Sequence, residues 1–473
     1  MENQINFDFG MVGLGVMGRN LLLNMADHGY TVIGLDLDAT KVAALEQEAA
    51  EGKKVHGTVS AEEFIRSLRK PRALMLLVPA GKAVDSVINT LLPFLEPGDI
   101  VIDGGNSYFT DTDRRMAFLA EKGINYLGVG ISGGEKGARF GPSMMPGGSE
   151  TAYQRVKPIF ESVAAKVNGE PCVTYLGAGS AGNYVKMVHN GIEYAIMQLL
   201  SETYDLFKHG IQATDDELHQ IYDEWNRTEL QSFLVEITAD IFLKNDEKTG
   251  KRLVNLILDQ AKSKGTGKWT SQNAMDLQVP LPTVDMAVAM RDMSAHKPER
   301  EKAATILSAQ PLPAVTIGDR VAFIKQVKNA FYVSMLTCYA QGLALLRVAS
   351  QSYNYGLKLN DVARIWRGGC IIRAACLEDI RQAFEKQPDL ANLLIDAKIA
   401  SEVLKRQADT RSVVKTAVDL GVAVPALMAS LSYFDAYRSK NLPTNLIQAQ
   451  RDYFGAHTYE RIDQEGVFHT DWS

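Results

Sequence analysis

Apolar positions follow two different rhythms along this chain. In the first 180 residues or so they come in short runs, at 7–12, 30–35, 73–78, 100–103 and 126–131, each closed by glycine, proline or a small polar residue. Such runs read as buried strands, and the segments between them carry helical spacing, so this part is expected to be a parallel α/β sheet. From about Ser180 onward the spacing becomes that of helices, with few strand-like runs. Segments 181–209 and 321–349 both read as helices longer than those of a typical globular domain. The fold expected is an α/β Rossmann-like dinucleotide-binding domain over 1–179, then a large all-α domain with an internal helical repeat over 180–435. A C-terminal tail over 436–473 completes the chain.

The first strand runs into Gly13-Leu14-Gly15-Val16-Met17-Gly18, followed by a helix over 19–27 that Gly29 ends. The second strand finishes at Asp36, about 20 residues beyond the turn, which is the spacing of a dinucleotide fingerprint. The glycines let the backbone approach a pyrophosphate, and the helix start supplies N–H groups and a positive dipole end. A carboxylate at Asp36 accepts from ribose hydroxyls and repels a 2′-phosphate. The neighbouring Leu35, Leu37 and Asp38 bring no arginine, and Lys41 is the nearest cation. Residue chemistry therefore leans towards NAD. The alternative is that Asp36 only caps the next helix while Thr40 and Lys41 accept a phosphate. Val78, Asn106 and Ser132 stand at carboxyl ends of later strands, where the ligand crevice of such a sheet opens.

Within 181–209, Lys186, His189, Asn190 and Glu193 fall at i, i+3, i+4 and i+7, on one helix face. That face would ordinarily be an apolar stripe. It reads either as a solvated surface or as an acid–base set. A similar segment recurs 139 positions later, with Lys325 matching Lys186, Lys328 standing for His189 and Tyr332 for Glu193. This reads as a duplicated helical unit in which one copy keeps the acid–base set.

Composition narrows the classes. A formal charge of −6 gives no basic field for nucleic acid or an anionic membrane. No apolar run reaches the roughly 18 residues of a membrane span, and the start lacks the pattern of a secretory signal. Cys172, Cys338, Cys370 and Cys376 have no metal spacing and apolar neighbours, as reduced core thiols do. The chain is expected to be cytoplasmic. Past residue 436 the sequence is too rich in aromatic and apolar groups for disorder, and is expected to dock in a groove, either its own or a partner subunit's.

Several of these segments resemble the decarboxylating 6-phosphogluconate dehydrogenases, of the β-hydroxyacid dehydrogenase superfamily. They are the Gly13–Gly18 turn, Asp103-Gly104-Gly105-Asn106-Ser107, the stretch Ile131 to Arg139 with Ser132-Gly133-Gly134, and Gly141 to Gly148. The Lys186–Glu193 helix, Lys264 to Thr270 and the tail from Arg451 to His457 follow in family order. The resemblance implies oxidation of 6-phosphogluconate to ribulose 5-phosphate and CO₂ in the pentose phosphate pathway, with NADP as hydride acceptor. It implies Lys186 as general base and Glu193 as acid. Asn106, Ser132, Gly133, Gly134, His189 and Asn190 would hold the sugar acid; Tyr194, Lys268, Thr270 and Arg291 would take its phosphate. It also implies a homodimer whose tail lends Arg451 and His457 to the partner's site. For the dinucleotide the residues are Gly13, Gly15, Val16, Met17, Gly18, Asp36, Val78 and Asn106.

The chain departs from the family pattern in three places. Asp36-Leu37-Asp38 stands where the family usually carries Asn-Arg-Ser/Thr, Pro79 replaces a common lysine, and Lys262 occupies a small-residue position. The first two weaken the NADP expectation and favour an NAD-preferring or dual-specific enzyme. The alternative function is a β-hydroxyacid dehydrogenase acting on an unphosphorylated acid, which would have no use for Lys268, Thr270, Arg291 or the Arg451 tail.

Overall fold

Seven short strands build one sheet in the computed structural model, which describes residues 6–308 and 315–472. They are β1 (Phe9–Val12), β2 (Val32–Leu35), β3 (Val55–Thr58), β4 (Ala73–Leu76), β5 (Ile100–Asp103), β6 (Asn125–Ser132) and β7 (Ser143–Gly148). Their order is β3-β2-β1-β4-β5-β6-β7. The first six are parallel and β7 runs antiparallel to β6. Alternate residues feed two cores, with Met75, Ile100 and Ile102 on one face and Leu74, Leu76 and Val101 on the other. Both faces are therefore covered, as a sheet of parallel strands requires. The strand order reverses between β1 and β4, which is where ligands enter sheets of this kind.

The expected strands are all present. β3 and β7 are additions, and β7 makes the sheet mixed rather than purely parallel. β3 carries His56 and Gly57 in place of an apolar run. The Pro146-Gly147-Gly148 end of β7 is depleted in strand-forming residues, and an edge position tolerates it. Its glycines have a steric purpose: a Cβ on Gly147 would lie 2.3 Å from the backbone nitrogen of Gly182.

Gly182 opens the long helix Ala181–Gly210, which lies directly on β6 and β7. A Cβ on Gly182 would stand 2.1 Å from the Gly128 carbonyl oxygen and 2.2 Å from that of Met145. One on Gly130 would stand 2.3 Å from Lys186 Cβ. Polar bonds fix the same junction. Ser180 donates from its nitrogen and hydroxyl to Asp113, Thr112 donates to Asn183 Oδ1, and Asn183 Nδ2 donates to the Gly105 carbonyl. The helix is thus clamped to the loop that follows β5.

Among the described residues, the rest of the chain up to about residue 437 is mainly helical around one core that includes Phe207, Tyr222, Trp225, Phe331 and Trp366. The helix Arg320–Ser352 packs along Ala181–Gly210, with Gly342 seated against Ile192. By length and apolar content Arg320–Ser352 would suffice to cross a membrane, contrary to the sequence expectation, but 83% of its apolar window is buried inside the protein. It is the core helix of the second half.

The tail folds on itself. The helix Thr444–Gly455 and a small hairpin close around Asp452, whose buried carboxylate accepts from the nitrogens of Thr458 and Thr470, from Trp472 Nε1 and from His469. Leu446, Tyr453, Phe454 and Trp472 are exposed, join none of the three cores, and line an open groove of about 290 Å³.

Candidate active site

A cleft of about 610 Å³ opens above the carboxyl ends of β1, β2 and β4, lined by Gly13, Gly15, Asp36, Lys41 and Val78 among others. The turn beneath it needs its glycines. Gly13 has φ +94° and a Cβ there would press on the Leu77 carbonyl, while one on Gly18 would lie 1.9 Å from the Gly13 oxygen. Gly15 has open space where a Cβ would be, and begins the helix Val16–Asp27 without a side-chain cap. Met17 and the exposed Val16 form the first turn. An open helix start under an uncrowded glycine is a ready anion cradle, so these residues fit a dinucleotide's pyrophosphate.

Asp36 does not cap the next helix. Asp38 does, accepting from Thr40 N. Asp36 Oδ2 instead accepts the Leu14 N–H at 2.8 Å, and Oδ1 accepts the Asp38 N–H at 3.0 Å and faces Lys41 Nζ at 3.6 Å. The carboxylate ties β2 to the glycine turn at the ribose end of the cleft. Leu37, 95% exposed, stands at the rim, and among the described residues no arginine lines the cleft. After β5, Asp103 gathers the nitrogen of Gly105 and the hydroxyls of Ser107 and Tyr126, leaving Asn106 exposed on the loop.

The polar face of Ala181–Gly210 is not a wetted surface. Lys186 is 6% exposed, His189 is fully buried and Asn190 is buried. Burial lowers the Lys186 pKa, against the opposing pull of Glu193 and Cys370. Burial, and then the neighbouring Lys186, holds His189 well below the usual imidazole range. Burial raises Glu193, opposed by Lys186 and Arg291. All three shifts favour the uncharged form of the group, with burial the leading cause of each. The 3.8 Å approach of His189 Nδ1 to Glu193 Oε2 is therefore no ion pair. His189 Nδ1 also lies 3.4 Å from Lys186 Nζ and 3.0 Å from Asn190 Oδ1, so it is the common neighbour of the set.

Ser132 ends β6 beside this cluster, with Oγ 3.1 Å from His189 Nε2. Gly133 and Gly134 turn away from it at φ +122° and +61° to start a short helix. Asn190 Nδ2 donates to Thr266 Oγ1, and Thr270 Oγ1 donates to the Met187 and Thr266 carbonyls. The helix Thr266–Asp276 is thereby pinned to Ala181–Gly210 and carries Lys268 outward, exposed. Thr270 is fully buried, and its hydroxyl engages the Met187 and Thr266 carbonyls. The Arg291 guanidinium stacks 3.4 Å from the Tyr194 ring centroid, beside Glu193. Arg451 and His457 lie exposed in the tail. Arg451 bonds to Gln448, and His457 packs on Phe454.

Sequence reasoning missed the segment around Cys370. Gly369 packs so close to the end of β6 that a Cβ on Gly133 would lie 2.8 Å from its carbonyl oxygen. The Ile371 N–H donates to Ser132 Oγ, Cys370 Sγ lies 2.9 Å from His189 Nε2, and Trp366 meets the His189 ring edge-on. All four cysteines are free and buried, as expected, but this one is buried in the site. The Gly368-Gly369 pair before it was the available signal, since adjacent glycines often mark close backbone approach.

Comparison with known proteins gives one answer along the whole length. Residues 8–177 match the family described as the NAD binding domain of 6-phosphogluconate dehydrogenase, and residues 182–472 match the 6-phosphogluconate dehydrogenase C-terminal domain. The NADP(+)-dependent, decarboxylating 6-phosphogluconate dehydrogenase of Bacillus subtilis is 53% identical, over 98% of both chains. The decarboxylating 6-phosphogluconate dehydrogenase of Synechococcus elongatus is 52% identical over 98% of this chain and 99% of its own. Among solved structures, the Plasmodium falciparum 6-phosphogluconate dehydrogenase, studied alone, with NADP+ and with 6-phosphogluconate, superposes with a TM-score of 0.95. It is 44% identical and covers 98% of this chain and 100% of its own.

The buried amine carries a stability prediction. Lys186 is lowered from the ordinary lysine value of 10.5, so below that value the unfolded chain binds a proton that the folded chain takes up only at lower pH. Folding stability is lost as pH falls from there towards the folded pKa. Lys186→Met is therefore expected to raise stability at pH 7, because the unfolded variant no longer gains that proton. The advantage should shrink as pH approaches 10.5. Thermal unfolding across pH checks this, and an equal or lower Tm for the variant at pH 7 would contradict it.

Proposed function

This chain belongs to the decarboxylating 6-phosphogluconate dehydrogenases, and from that membership we propose how its own residues convert 6-phosphogluconate to ribulose 5-phosphate and CO₂. The observation that carries the proposal is the pairing of an amine lowered by burial with a carboxyl raised by burial, seven residues apart on one helix. The bound dinucleotide supplies the hydride acceptor. Lys186, biased to neutral, takes the proton of the C3 hydroxyl as hydride leaves C3. The product is a β-keto acid, whose carbonyl receives the electron pair released with CO₂. Lys186, now charged, donates a hydrogen bond to that developing oxyanion. Glu193, biased to keep its proton, delivers it to the carbon that becomes C1 of the pentulose. Ser132, Gly133, Gly134, Asn106, His189 and Asn190 orient the sugar acid.

Tyr194, Lys268 and Arg291 are our phosphate ligands, with Thr270 fixing the helix that carries Lys268. Charge-assisted contacts there provide binding energy remote from the reacting carbon. This supports 6-phosphogluconate over an unphosphorylated hydroxy acid. The expected outcome is CO₂ release from 6-phosphogluconate and none from gluconate or 3-hydroxyisobutyrate. Lys186→Ala should lower kcat by about 10²–10⁴-fold, the usual worth of a general base. Unchanged turnover in that variant would end the mechanism.

For the cofactor we propose an NAD-preferring or dual-specific enzyme. Asp36 and Asp38 put two carboxylates at the ribose end of the cleft, with Lys41 the one cation lining it among the described residues. The Bacillus relative, named as NADP-dependent, weighs on the other side. We expect kcat/KM for NAD to equal or exceed that for NADP. Asp36→Asn should raise the NADP value by about ten-fold, matching the removal of about 1.4 kcal/mol of repulsion. A strong NADP preference in the unaltered protein would sink the Asp36 argument.

We further propose a cytoplasmic homodimer in which the tail docks on the partner, because its aromatic groups are exposed and Gln448, Arg451 and Trp472 bond to other residues of the tail. Arg451 and His457 would then complete the partner's phosphate site. Mixed dimers of Lys186→Ala with Arg451→Ala test this. If tails are exchanged, one of the two sites regains both residues, and activity rises well above that of either parent. If each tail serves its own subunit, every site stays defective and the mixture gains nothing.

A further inference from the structure

Cys370 lies inside the site without a task in the proposed chemistry. Its sulfur is 2.9 Å from His189 Nε2, and Ser132 Oγ is 3.1 Å from the same nitrogen. On the opposite side of the ring, His189 Nδ1 is 3.0 Å from Asn190 Oδ1, an oxygen that only accepts. Asn190 is oriented by its amide, which donates to Thr266 Oγ1. Nδ1 therefore carries the ring hydrogen, and Nε2 is the acceptor. The ring is fully buried, so no water replaces a donor lost at Nε2.

Two donors thus converge on one lone pair. The Ser132 hydroxyl has a single hydrogen, and its oxygen already accepts the Ile371 N–H at 3.2 Å. To bind the carboxylate or a hydroxyl oxygen of the sugar acid it must turn that hydrogen away from His189. We propose that Cys370 is a positioning residue whose S–H takes over His189 Nε2 when substrate claims the Ser132 hydroxyl, so that Ser132 is released without leaving the imidazole unpaired. This rests on the reading of Ser132 as a substrate ligand. Burial pushes the Cys370 thiol up to about 11, so it holds its hydrogen at working pH. Trp366, edge-on to the ring at 5.8 Å, keeps the imidazole in place during the exchange.

Without the thiol, His189 and the substrate compete for one hydroxyl. Cys370→Ala should raise KM for 6-phosphogluconate about five-fold, the worth of one neutral hydrogen bond, with a smaller effect on kcat. Cys370→Ser restores a donor and should recover most of the loss. Cys370→Val, which fills the space without a donor, should resemble the alanine variant and guards against a folding defect. In a Ser132→Ala background the Cys370→Ala change should add little, because nothing remains to be released. Equal defects in the serine and alanine variants, an unchanged KM in Cys370→Ala, or full additivity with Ser132→Ala would each overturn the proposal. A Ser132→Ala enzyme with unaltered KM would instead remove the reading beneath it, and the proposal with it.

Discussion

The contact on which the rest depends is backbone against backbone, where the helix Ala181–Gly210 lies on β6 and β7. Gly128, Gly130, Gly147 and Gly182 leave no side chain between them, and a methyl group at any of the four would come within 2.3 Å of an atom across the contact. That closeness buries Lys186, His189 and Asn190 and leaves Glu193 only partly exposed. Lys186, His189 and Glu193 then owe their protonation to position, because burial is the first cause of each shift. Moving the helix outward by the radius of a methyl would admit solvent and return the three groups towards their ordinary states. The glycines of a strand edge thus tune the acid–base pair on the next element.

The same contact joins the halves of the reaction. Asn183, three residues before Lys186, donates to the Gly105 carbonyl beside Asn106. Asp103 holds that loop in shape through three further bonds. On the other flank Asn190 and the Met187 carbonyl fix the helix that bears Lys268. One rigid helix therefore indexes the crevice beside the strand ends, Lys186 and the segment that bears Lys268. Placing reactive groups on a rigid, packed element holds them to tighter tolerances than loops alone allow.

How much of this was legible depended on whether the signal was local. The glycine turn and its strands carry their pattern within a few residues, and they were read with boundaries displaced by one or two positions. β7 was not read, because its proline and glycines argue against a strand when judged alone; their reason lies in a helix some 35 residues away. The i, i+3, i+4, i+7 face was seen, but periodicity could not separate a wet face from a dry one. Cys370 was read correctly as buried and wrongly passed over, since its meeting with His189 joins positions 181 residues apart. Thr270 shows the converse: a motif residue expected to meet phosphate, whose hydroxyl the fold uses to hold a helix. The 139-residue offset between the two long helices remains our proposal of common origin.

A neutral amine and a protonated acid also suit the proton balance of the proposed reaction. Lys186 gains a proton in the oxidation, returns it to the oxyanion as CO₂ leaves, and regains one when the enediol becomes the ketone. Glu193 gives one to carbon in that last step, so turnover ends with an ammonium and a carboxylate where it began with neither. In a buried site such a pair is stabilised by its own attraction, and transferring the proton back restores two neutral groups. His189 Nδ1, 3.4 Å from Lys186 Nζ and 3.8 Å from Glu193 Oε2, lies between them. No proton need come from solvent for the site to reset. A site closed by glycine packing on one side and, in our proposal, by a partner's tail on the other can therefore stay closed through its whole acid–base cycle.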